Sequence, residues 1–318
     1  MNAPPNFAEL RRAPHWSFSA LNSVLNICSL QYSLGRIEKV TPAFTPVNLV
    51  FGKAFHRSAS YLYNMLQEDS LLNTKELDEF FEQCFTSEVE SAQAEVLFAE
   101  NKGLSVMIEK GQQMLGVLHD NLDPDDRVLE TDYSFSVDLV DSHENIVSKP
   151  LIGEFDAVVE NKGRLIVVDF KTAASKWPVN KCHTDLQATA YLYALRQPEP
   201  KRESLFRYDV ITKAKAPVLT RYLTNRTEDD FQRFIQLVKM ADRIVENKLF
   251  YPHETSFACH GCQYQEACAQ WQQNQLSACE SKTCYDCENS FDYSQGNPYK
   301  YEPETWLCHD CQDQRINH

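Results

Sequence analysis

Hydrophobic residues recur every three or four positions through much of the first third of the chain. Ser17 is a helix-capping residue, and the apolar stripe that follows it predicts a helix over residues 17–34. The same spacing, with charged residues on the opposite face, predicts further helices over residues 49–66 and 74–119. We therefore expect a mostly helical N-terminal part.

From about residue 128 the pattern changes to short apolar stretches that are separated by polar turns. Three strands are predicted, in the segments LETDYSFSVDLV, KPLIGEFDAVVE and RLIVVDFK. Beyond them the pattern predicts a helix over 183–196, strands over 205–211 and 218–223, and a helix over 227–248. This mixture of strands and helices indicates an α/β (α+β) fold.

A charged residue interrupts the apolar strand at residues 167–171, which read VVDFK. Removing a charge from water costs several kcal/mol or more unless it is paired, so Asp169 requires a partner. If Lys162-Gly163 forms a two-residue hairpin turn, Asp156 lies directly opposite Asp169. Two facing carboxylates repel each other, and a bound divalent cation such as Mg²⁺ or Mn²⁺ would relieve that repulsion. The sequence therefore predicts a metal site on this hairpin.

Lys171 belongs to the same predicted site, because alternate residues of a strand share one face and Lys171 follows Asp169 by two positions. The hairpin register places Glu154 opposite Lys171. An alternative is a solvated strand face, on which Glu154 pairs with Lys171 and the aspartates point to water. The apolar residues on both faces of RLIVVDF favour a covered central strand instead.

Composition and charge narrow the classes of protein. The chain has 318 residues, of which 43% are hydrophobic, and this length suits one large domain with an appendage or two domains. We expect a cytoplasmic protein without a membrane partner, because neither a signal peptide nor a long apolar segment is evident. The net charge of −14 counts against non-specific attraction to nucleic acid, although a local basic groove can exist on an acidic protein.

Cysteines are concentrated at the C-terminal end, where eight of the eleven lie within the last 60 residues. Two Cys-x-x-Cys pairs have the spacing of a four-thiolate zinc site, and their members are Cys284, Cys287, Cys308 and Cys311. Three further thiols, Cys259, Cys262 and Cys268, require a fourth ligand from elsewhere. We expect a domain over residues 1–275 and a zinc-ribbon-like extension over residues 276–318.

Three motifs follow one another in the order Gly153-x-x-Asp156, Asp169-Phe170-Lys171 and Gln187-x-x-x-Tyr191. They resemble the PD-(D/E)XK nuclease superfamily, in particular its RecB-like branch, which includes the Cas4 and AddB-type nucleases. The resemblance covers most of residues 17–270. It implies a restriction-endonuclease-like core, with a central mixed sheet flanked by helices, a helical N-terminal part and a C-terminal metal-binding ribbon.

The resemblance also implies roles for individual residues. Asp156 and Asp169 would hold the metal, the backbone carbonyl of Phe170 would assist them, and Lys171 would assist the attacking water or stabilise the developing charge. His56 resembles an extra helical metal ligand of this branch, with a surface histidine as the alternative. Gln187 and Tyr191 would share a helix face that can reach the substrate or the hairpin, although Tyr191 is equally consistent with a core residue. Glu130 is a weaker acidic candidate.

The iron-sulfur members of this branch take a fourth cluster ligand from an N-terminal helix, and Cys28 matches that position. Cys28, Cys259, Cys262 and Cys268 are thus expected to bind a [4Fe-4S] cluster, with zinc as the alternative. Ser29 departs from the proline that often follows this cysteine in the family.

The implied function is that of a metal-dependent DNA nuclease, acting as an exonuclease on single strands or duplex ends. A helicase or another repair or defence protein is the expected partner. The alternative is a non-catalytic, metal-stapled binding subunit of a larger complex. The retained set of acid, acid and lysine favours the nuclease.

Overall fold

A computed structural model of the protein describes residues 6–70, 73–99, 102–197, 202–292, 296–299 and 302–316. The chain divides into two compact units, Met1–Gln263 and Tyr264–His318. Among the described residues, no helix combines the length and the apolar character needed to cross a membrane.

Helices of the first unit occupy both ends of its sequence and the middle. They are α1 (Phe7–Leu10), α2 (Phe18–Asn22), α3 (Ser29–Tyr32), α4 (Val47–Gln67), α5 (Thr74–Glu90), α6 (Leu104–Asp120), α7 (Lys181–Thr184), α8 (Leu186–Arg196) and α9 (Glu228–Glu246). Two π-helical turns, Ser23–Ile27 and Ser33–Ile37, follow α2 and α3.

Strands of the first unit form a six-stranded mixed sheet and a small two-stranded one. They are β1 (Trp16–Ser17), β2 (Thr45–Pro46), β3 (Val96–Leu97), β4 (Arg127–Val137), β5 (Leu151–Asn161), β6 (Arg164–Ala173), β7 (Ser204–Thr212) and β8 (Leu219–Thr224). The large sheet has the order β1-β5-β6-β7-β8, with β4 also paired to β5, and β6 runs parallel to β7. The small sheet pairs β2 with β3.

Helices cover both faces of the large sheet, as alternate residues of β6 illustrate. Leu165 and Val167 belong to a core that includes residues of α2, α8 and α9. Ile166, Val168 and Phe170 belong to a second core that is built with α4, α5 and α6. Because both faces are covered, β6 is buried from residue 165 to residue 170 without the alternation of a half-exposed strand. The prediction of a central mixed sheet flanked by helices is confirmed.

Two of the predicted helices are interrupted. Ser17 caps α2 as expected, since its Oγ accepts a hydrogen bond from the Ala20 amide at 3.3 Å. The continuous helix over 17–34 is wrong, because Cys28 adopts an extended conformation with φ −169° and begins α3 as its capping residue. The helix over 74–119 is likewise two helices, α5 and α6, with β3 between them.

The second unit contains α10 (Gln265–Glu280), β9 (Ser281–Thr283), β10 (Ser290–Asp292), β11 (Gly296–Tyr299), β12 (Glu302–Cys308) and α11 (His309–Ile316). β9 pairs with β10 and β11 pairs with β12, both in antiparallel fashion. A small core contains the buried residues Trp306 and Leu307, together with Cys284, Cys287, Cys308 and Cys311.

Candidate active site

The β5–β6 hairpin has the predicted turn and register. Lys162 and Gly163 have φ values of 51° and 83°, so both central residues of the turn have the positive φ of a type I′ hairpin. Strand pairing runs from Asn161–Arg164 to Ala157–Val168, in the register that the sequence predicts. The next pair along this register would be Asp156 and Asp169.

Regular pairing of β5 with β6 ends just before these aspartates. One edge of β5 is occupied by β4 along nearly its whole length. The other edge is shared, because β6 pairs with residues 157–161 and β1 pairs with residues 151–152. In the gap between them, Oδ2 of Asp156 accepts a hydrogen bond from the Phe170 amide at 2.9 Å. The hairpin therefore opens where its two aspartates lie, and a side chain replaces the backbone as the hydrogen-bond partner of β6.

Asp169 lies almost completely out of water, with 2% of its surface exposed. Its Oδ1 accepts a hydrogen bond of 2.5 Å from Nε2 of Gln187, and its Oδ2 lies 2.7 Å from Nζ of Lys171. Burial is the main reason that the pKa of Asp169 rises to about 6; Lys171 opposes the rise, and the negative charge of Asp156 adds to it. Ionisation of Asp169 in this position therefore costs free energy.

His56, on α4, lies beside Asp156. Its Nδ1 lies 3.1 Å from Oδ2 of Asp156. Burial disfavours the imidazolium, but Asp156 outweighs burial and raises the pKa of His56. Burial likewise opposes ionisation of Asp156, yet His56 and Lys171 outweigh it and hold the pKa of that carboxyl below its usual value. His56 is thus a member of the cluster and not an ordinary surface histidine.

Lys171 lies beside Asp169, as alternation along β6 predicts. Burial tends to lower the pKa of Lys171, but Asp169 and Asp156 outweigh it and raise that pKa. The expected position of Glu154 opposite Lys171 is wrong, because β5 and β6 have separated before Glu154 is reached. Glu154 instead pairs with Ser134 of β4 and accepts a hydrogen bond of 3.0 Å from its hydroxyl.

Two predicted site residues, Gln187 and Tyr191, lie on α8. Gln187 is buried and orients Asp169 through the hydrogen bond to Oδ1. The ring of Tyr191 packs against those of Phe135 and Phe155, each with its centroid 5.6 Å away, and burial raises the pKa of the hydroxyl. Tyr191 therefore packs among aromatic rings one helical turn from Gln187.

Sequence reasoning missed Asp132, which lies on β4 and has a φ of 45°. This positive φ falls opposite Asp156, between the pairs Thr131–Ala157 and Tyr133–Phe155 of the β4–β5 register. Asp132 hydrogen-bonds with Ser60 of α4 and lies close enough to Asp156 to affect its own pKa, which burial raises. The only available signal was its position two residues after Glu130.

The donor set fits a hard divalent cation. The carboxylates of Asp156 and Asp169 converge with His56 at the open end of the hairpin. Their mutual repulsion and burial leave a site that gains from a positive charge beyond that of Lys171. Carboxylate oxygens suit Mg²⁺ and Mn²⁺, and an imidazole can complete the set.

The cysteines of the second unit form a separate group. Ligand atoms of Cys284, Cys287, Cys308 and Cys311 all lie within 4.8 Å of one another, which is a unique arrangement among the described residues. Sγ of Cys284 accepts a hydrogen bond from the Cys308 amide at 3.3 Å, and Sγ of Cys287 lies 3.9 Å from that of Cys308. These separations suit four thiolates around one ion with tetrahedral geometry.

Cys28 and Cys262 lie near each other in the first unit, because one residue contacts both. The Gln31 amide donates a hydrogen bond to Sγ of Cys28 at 3.4 Å, and the Gln31 side chain donates one to Sγ of Cys262 at 3.6 Å. Cys259 precedes Cys262 in the same turn, where their backbones hydrogen-bond at 3.1 Å. Cys268 lies in α10 of the second unit.

Comparison with known proteins identifies the family. The family model of the PD-(D/E)XK nuclease superfamily matches residues 15–269. A solved structure of a candidate exonuclease from Eubacterium rectale is similar to the chain, with 14% identity, coverage of 80% of this chain and 90% of that one, and a TM-score of 0.48. The structure of SSO0001 has 16% identity, covers 72% and 86% of the two chains, and gives a TM-score of 0.35. No curated protein sequence matches the chain.

The family match spans most of the chain and contains the whole acidic cluster. The chain therefore belongs to the PD-(D/E)XK nuclease superfamily. Residues 270–318, which include the four-cysteine group, lie beyond the matched region.

Proposed function

We propose that the protein is a metal-dependent DNA nuclease that hydrolyses phosphodiester bonds. The observation that carries this proposal is the convergence of Asp156, Asp169, Lys171 and His56 at the open end of one hairpin. A purely structural role does not account for the burial of the Asp169 carboxylate near that of Asp156, which costs free energy. Membership of a nuclease superfamily supports the same conclusion.

Each side chain has a distinct task in this proposal. Asp156, Asp169 and His56 would hold Mg²⁺ or Mn²⁺, with help from the Phe170 carbonyl; a bound ion supplies Lewis-acid chemistry, since it acidifies water and offsets charge on the phosphate. Lys171 places a permanent positive charge beside the same position and stabilises the additional negative charge of the transition state. Gln187 and the Phe170 amide hold the two carboxylates in fixed orientations.

We assign the nuclease to the RecB-like, Cas4-like branch, and propose that it degrades single strands or duplex ends as an exonuclease. The order of the motifs and the position of Cys28 support this assignment. A helicase or another repair or defence protein would supply such ends.

We further propose a [4Fe-4S] cluster on Cys28, Cys259, Cys262 and Cys268. Gln31 contacts both Cys28 and Cys262, and the His253 amide also donates to Sγ of Cys28 at 3.4 Å, which suits a sulfur that carries negative charge. Cys268 is assigned to this set from its spacing in the sequence alone. The four-cysteine group of the second unit is proposed to bind Zn²⁺.

A second candidate is a non-catalytic binding subunit. The observation that favours it is the additional C-terminal unit, which bears a four-thiol group outside the family match, on a chain with a net charge of −14. Under this alternative the protein would bind DNA or a protein partner without turnover.

The decisive experiment measures cleavage of end-labelled single-stranded and double-stranded DNA with Mg²⁺ or Mn²⁺. We expect Asp169→Ala and Lys171→Ala each to lower the rate by at least about 100-fold, because they remove a metal ligand and a transition-state charge. The ladder of labelled products would distinguish exonuclease from endonuclease action. Equal activity in the wild type and both variants would refute the proposal, and binding without turnover would support the second candidate.

A further inference from the structure

Lys213 lies immediately beyond the end of β7, next to the strand that carries the proposed active site. β6 and β7 are parallel, with Lys171 paired to Val210. The Lys213 amide donates a hydrogen bond of 2.7 Å to the carbonyl of Ala173, which follows Lys171 by two residues. Since a strand advances about 3.3 Å per residue and Lys213 follows Val210 by three residues, the backbone of Lys213 is roughly 10 Å further along the sheet than that of Lys171.

The ammonium group of Lys213 is surrounded by neutral partners. Its Nζ lies 2.7 Å from Oδ1 of Asn48 and 4.4 Å from the centre of the Phe51 ring, both on α4. Asn48 and His56 are separated by eight positions on this helix, or about 12 Å, so the lysine and the proposed ligand His56 meet the same helix about two turns apart. Burial, with a smaller effect from Lys102, lowers the pKa of Lys213 to about 8.

Three further lysines gather around the same turn. Lys110, on α6, donates a hydrogen bond of 2.9 Å from Nζ to the carbonyl of Ala214. Lys102 precedes α6 and is near enough to Lys213 to affect its pKa. Lys215 is exposed in the turn between β7 and β8. Within the described part of the chain, no carboxylate forms a salt bridge with any of these four lysines.

Four lysines that form no salt bridge within the described ranges thus lie around one turn of a chain whose net charge is −14. Like charges that gather without counter-ions raise the free energy of the protein, and a bound polyanion would remove that cost. Duplex DNA presents one phosphate per strand for about every 3.4 Å of helix axis, so phosphates a few nucleotides apart can reach this turn and the active site at once.

We propose that the lysine cluster, Lys102, Lys110, Lys213 and Lys215, binds phosphate groups of the substrate strand next to the scissile bond. The proposal rests on the proposed nuclease function and adds the surface that holds the strand. Lys213 is the central member, because its ammonium group is held in place by Asn48 and Phe51. The lysine cluster would let a protein with a net negative charge bind DNA at this surface.

The test is the salt dependence of DNA binding by the full chain. Fluorescence anisotropy of a labelled single-stranded oligonucleotide, in EDTA to prevent cleavage, gives the dissociation constant over a series of KCl concentrations. Each phosphate contact that is lost reduces the slope of log K against log salt by about 0.7 for a single strand. We expect Lys213→Gln to reduce the slope by about that amount and to weaken binding about fivefold to tenfold at low salt.

Lys213→Arg keeps the charge and should retain most of the affinity. Lys75→Gln removes an exposed lysine of α5 and should change neither the affinity nor the slope. If Lys213→Gln does not fold, the double variant Lys102→Gln with Lys215→Gln decides the matter, because both residues are exposed. Hydrolysis of bis(p-nitrophenyl) phosphate, which is too short to reach the cluster, should be unchanged in Lys213→Gln.

Unchanged affinity and slope in both Lys213→Gln and the double variant would overturn the proposal, even if the wild type cleaves DNA. The same holds if the wild type shows no binding. A reduced slope in a protein that never cleaves DNA would instead leave the lysine cluster standing and refute the nuclease function. The two proposals therefore fail separately.

Discussion

Individual charged residues around the candidate site are held in positions that cost the folded protein free energy. Asp169 is buried beside another carboxylate, and Lys213 is desolvated without an acidic partner. Arg207 and Asp209 of β7 offer a contrast, because these buried charges lie 2.9 Å apart and Arg207 also pairs with Asp126. Two arginines neutralise Asp126 and Asp209, whereas Asp156 and Asp169 share one lysine and one titratable histidine, an arrangement that is typical of binding and catalytic sites.

Lys213→Met should therefore stabilise the protein at neutral pH. The pKa of Lys213 is about 8 in the folded state and 10.5 in the unfolded chain, so the protonated lysine costs stability at all pH values below about 8. That cost disappears as the pH rises from about 8 to 10.5. Because the side chain is only partly buried, we expect a gain of about 1–2 kcal/mol in the free energy of unfolding at pH 7.

Urea denaturation at pH 7 and at pH 10 measures this difference. The gain should be largest at pH 7 and should shrink at pH 10. Lys75→Met, at an exposed position of α5, is the control and should show no such dependence on pH. Destabilisation by Lys213→Met at neutral pH would mean that the contacts of the ammonium group with Asn48 and Phe51 outweigh its desolvation.

Among the elements, the β5–β6 hairpin does most to position the site. Its turn fixes the register, and the register brings Asp156 and Asp169 to the same level of the sheet. The two strands then separate, which frees the Phe170 amide for the Asp156 carboxylate. An error of one residue in the register would turn these side chains to different faces.

Gly163→Ala should destabilise the protein by about 1–2 kcal/mol, because a φ of 83° is unfavourable for a residue with a Cβ atom. Gly116→Ala should have the opposite effect and stabilise by roughly 0.5–1 kcal/mol, since Gly116 lies within α6 with open space around it. Urea denaturation of the two variants checks both signs. Equal effects would show that the backbone conformation of the turn is not important for stability.

The hairpin was predictable from the sequence, because a glycine-containing turn and strict alternation together determine which residues face each other. The break in the first long helix was not, since apolar spacing continues through Cys28 while the backbone becomes extended there. Asp132 was also not predictable, because a positive φ within a strand leaves no signal in the alternation of apolar and polar residues. The periodicity of apolar residues indicates which face of a helix or strand is buried. It does not predict local departures from regular backbone geometry.

On the scale of the whole molecule, the chain combines a nuclease-family unit with a second unit that has its own thiol group. Small units have limited hydrophobic cores, and a structural metal ion commonly compensates for this. The core around Trp306 and Leu307 is small and includes the cysteines themselves. We therefore expect the second unit to depend on its metal ion for stability.

Metal analysis of the purified protein should give about one zinc per chain, as a single four-thiolate site requires. Cys308→Ser should remove most of the zinc, whereas Cys84→Ser, at a buried cysteine of α5 outside both sets, should not.

An anaerobic preparation should also contain about four iron atoms per chain, which Cys28→Ser should remove. A colourless protein without iron would contradict the cluster, and zinc retained by Cys308→Ser would contradict the thiol site.

The central claim is that Asp156 and Asp169 together form a hydrolytic metal site, and the most direct test is DNA cleavage by Asp156→Asn in the presence of Mn²⁺. Asp156→Asn keeps the size of the side chain and removes its charge, so we expect a loss of at least about 100-fold in the cleavage rate. Glu160→Gln, four residues further along β5 where Glu160 pairs with Arg127, should retain the wild-type rate within a few-fold. Cleavage by Asp156→Asn at the wild-type rate would contradict the account.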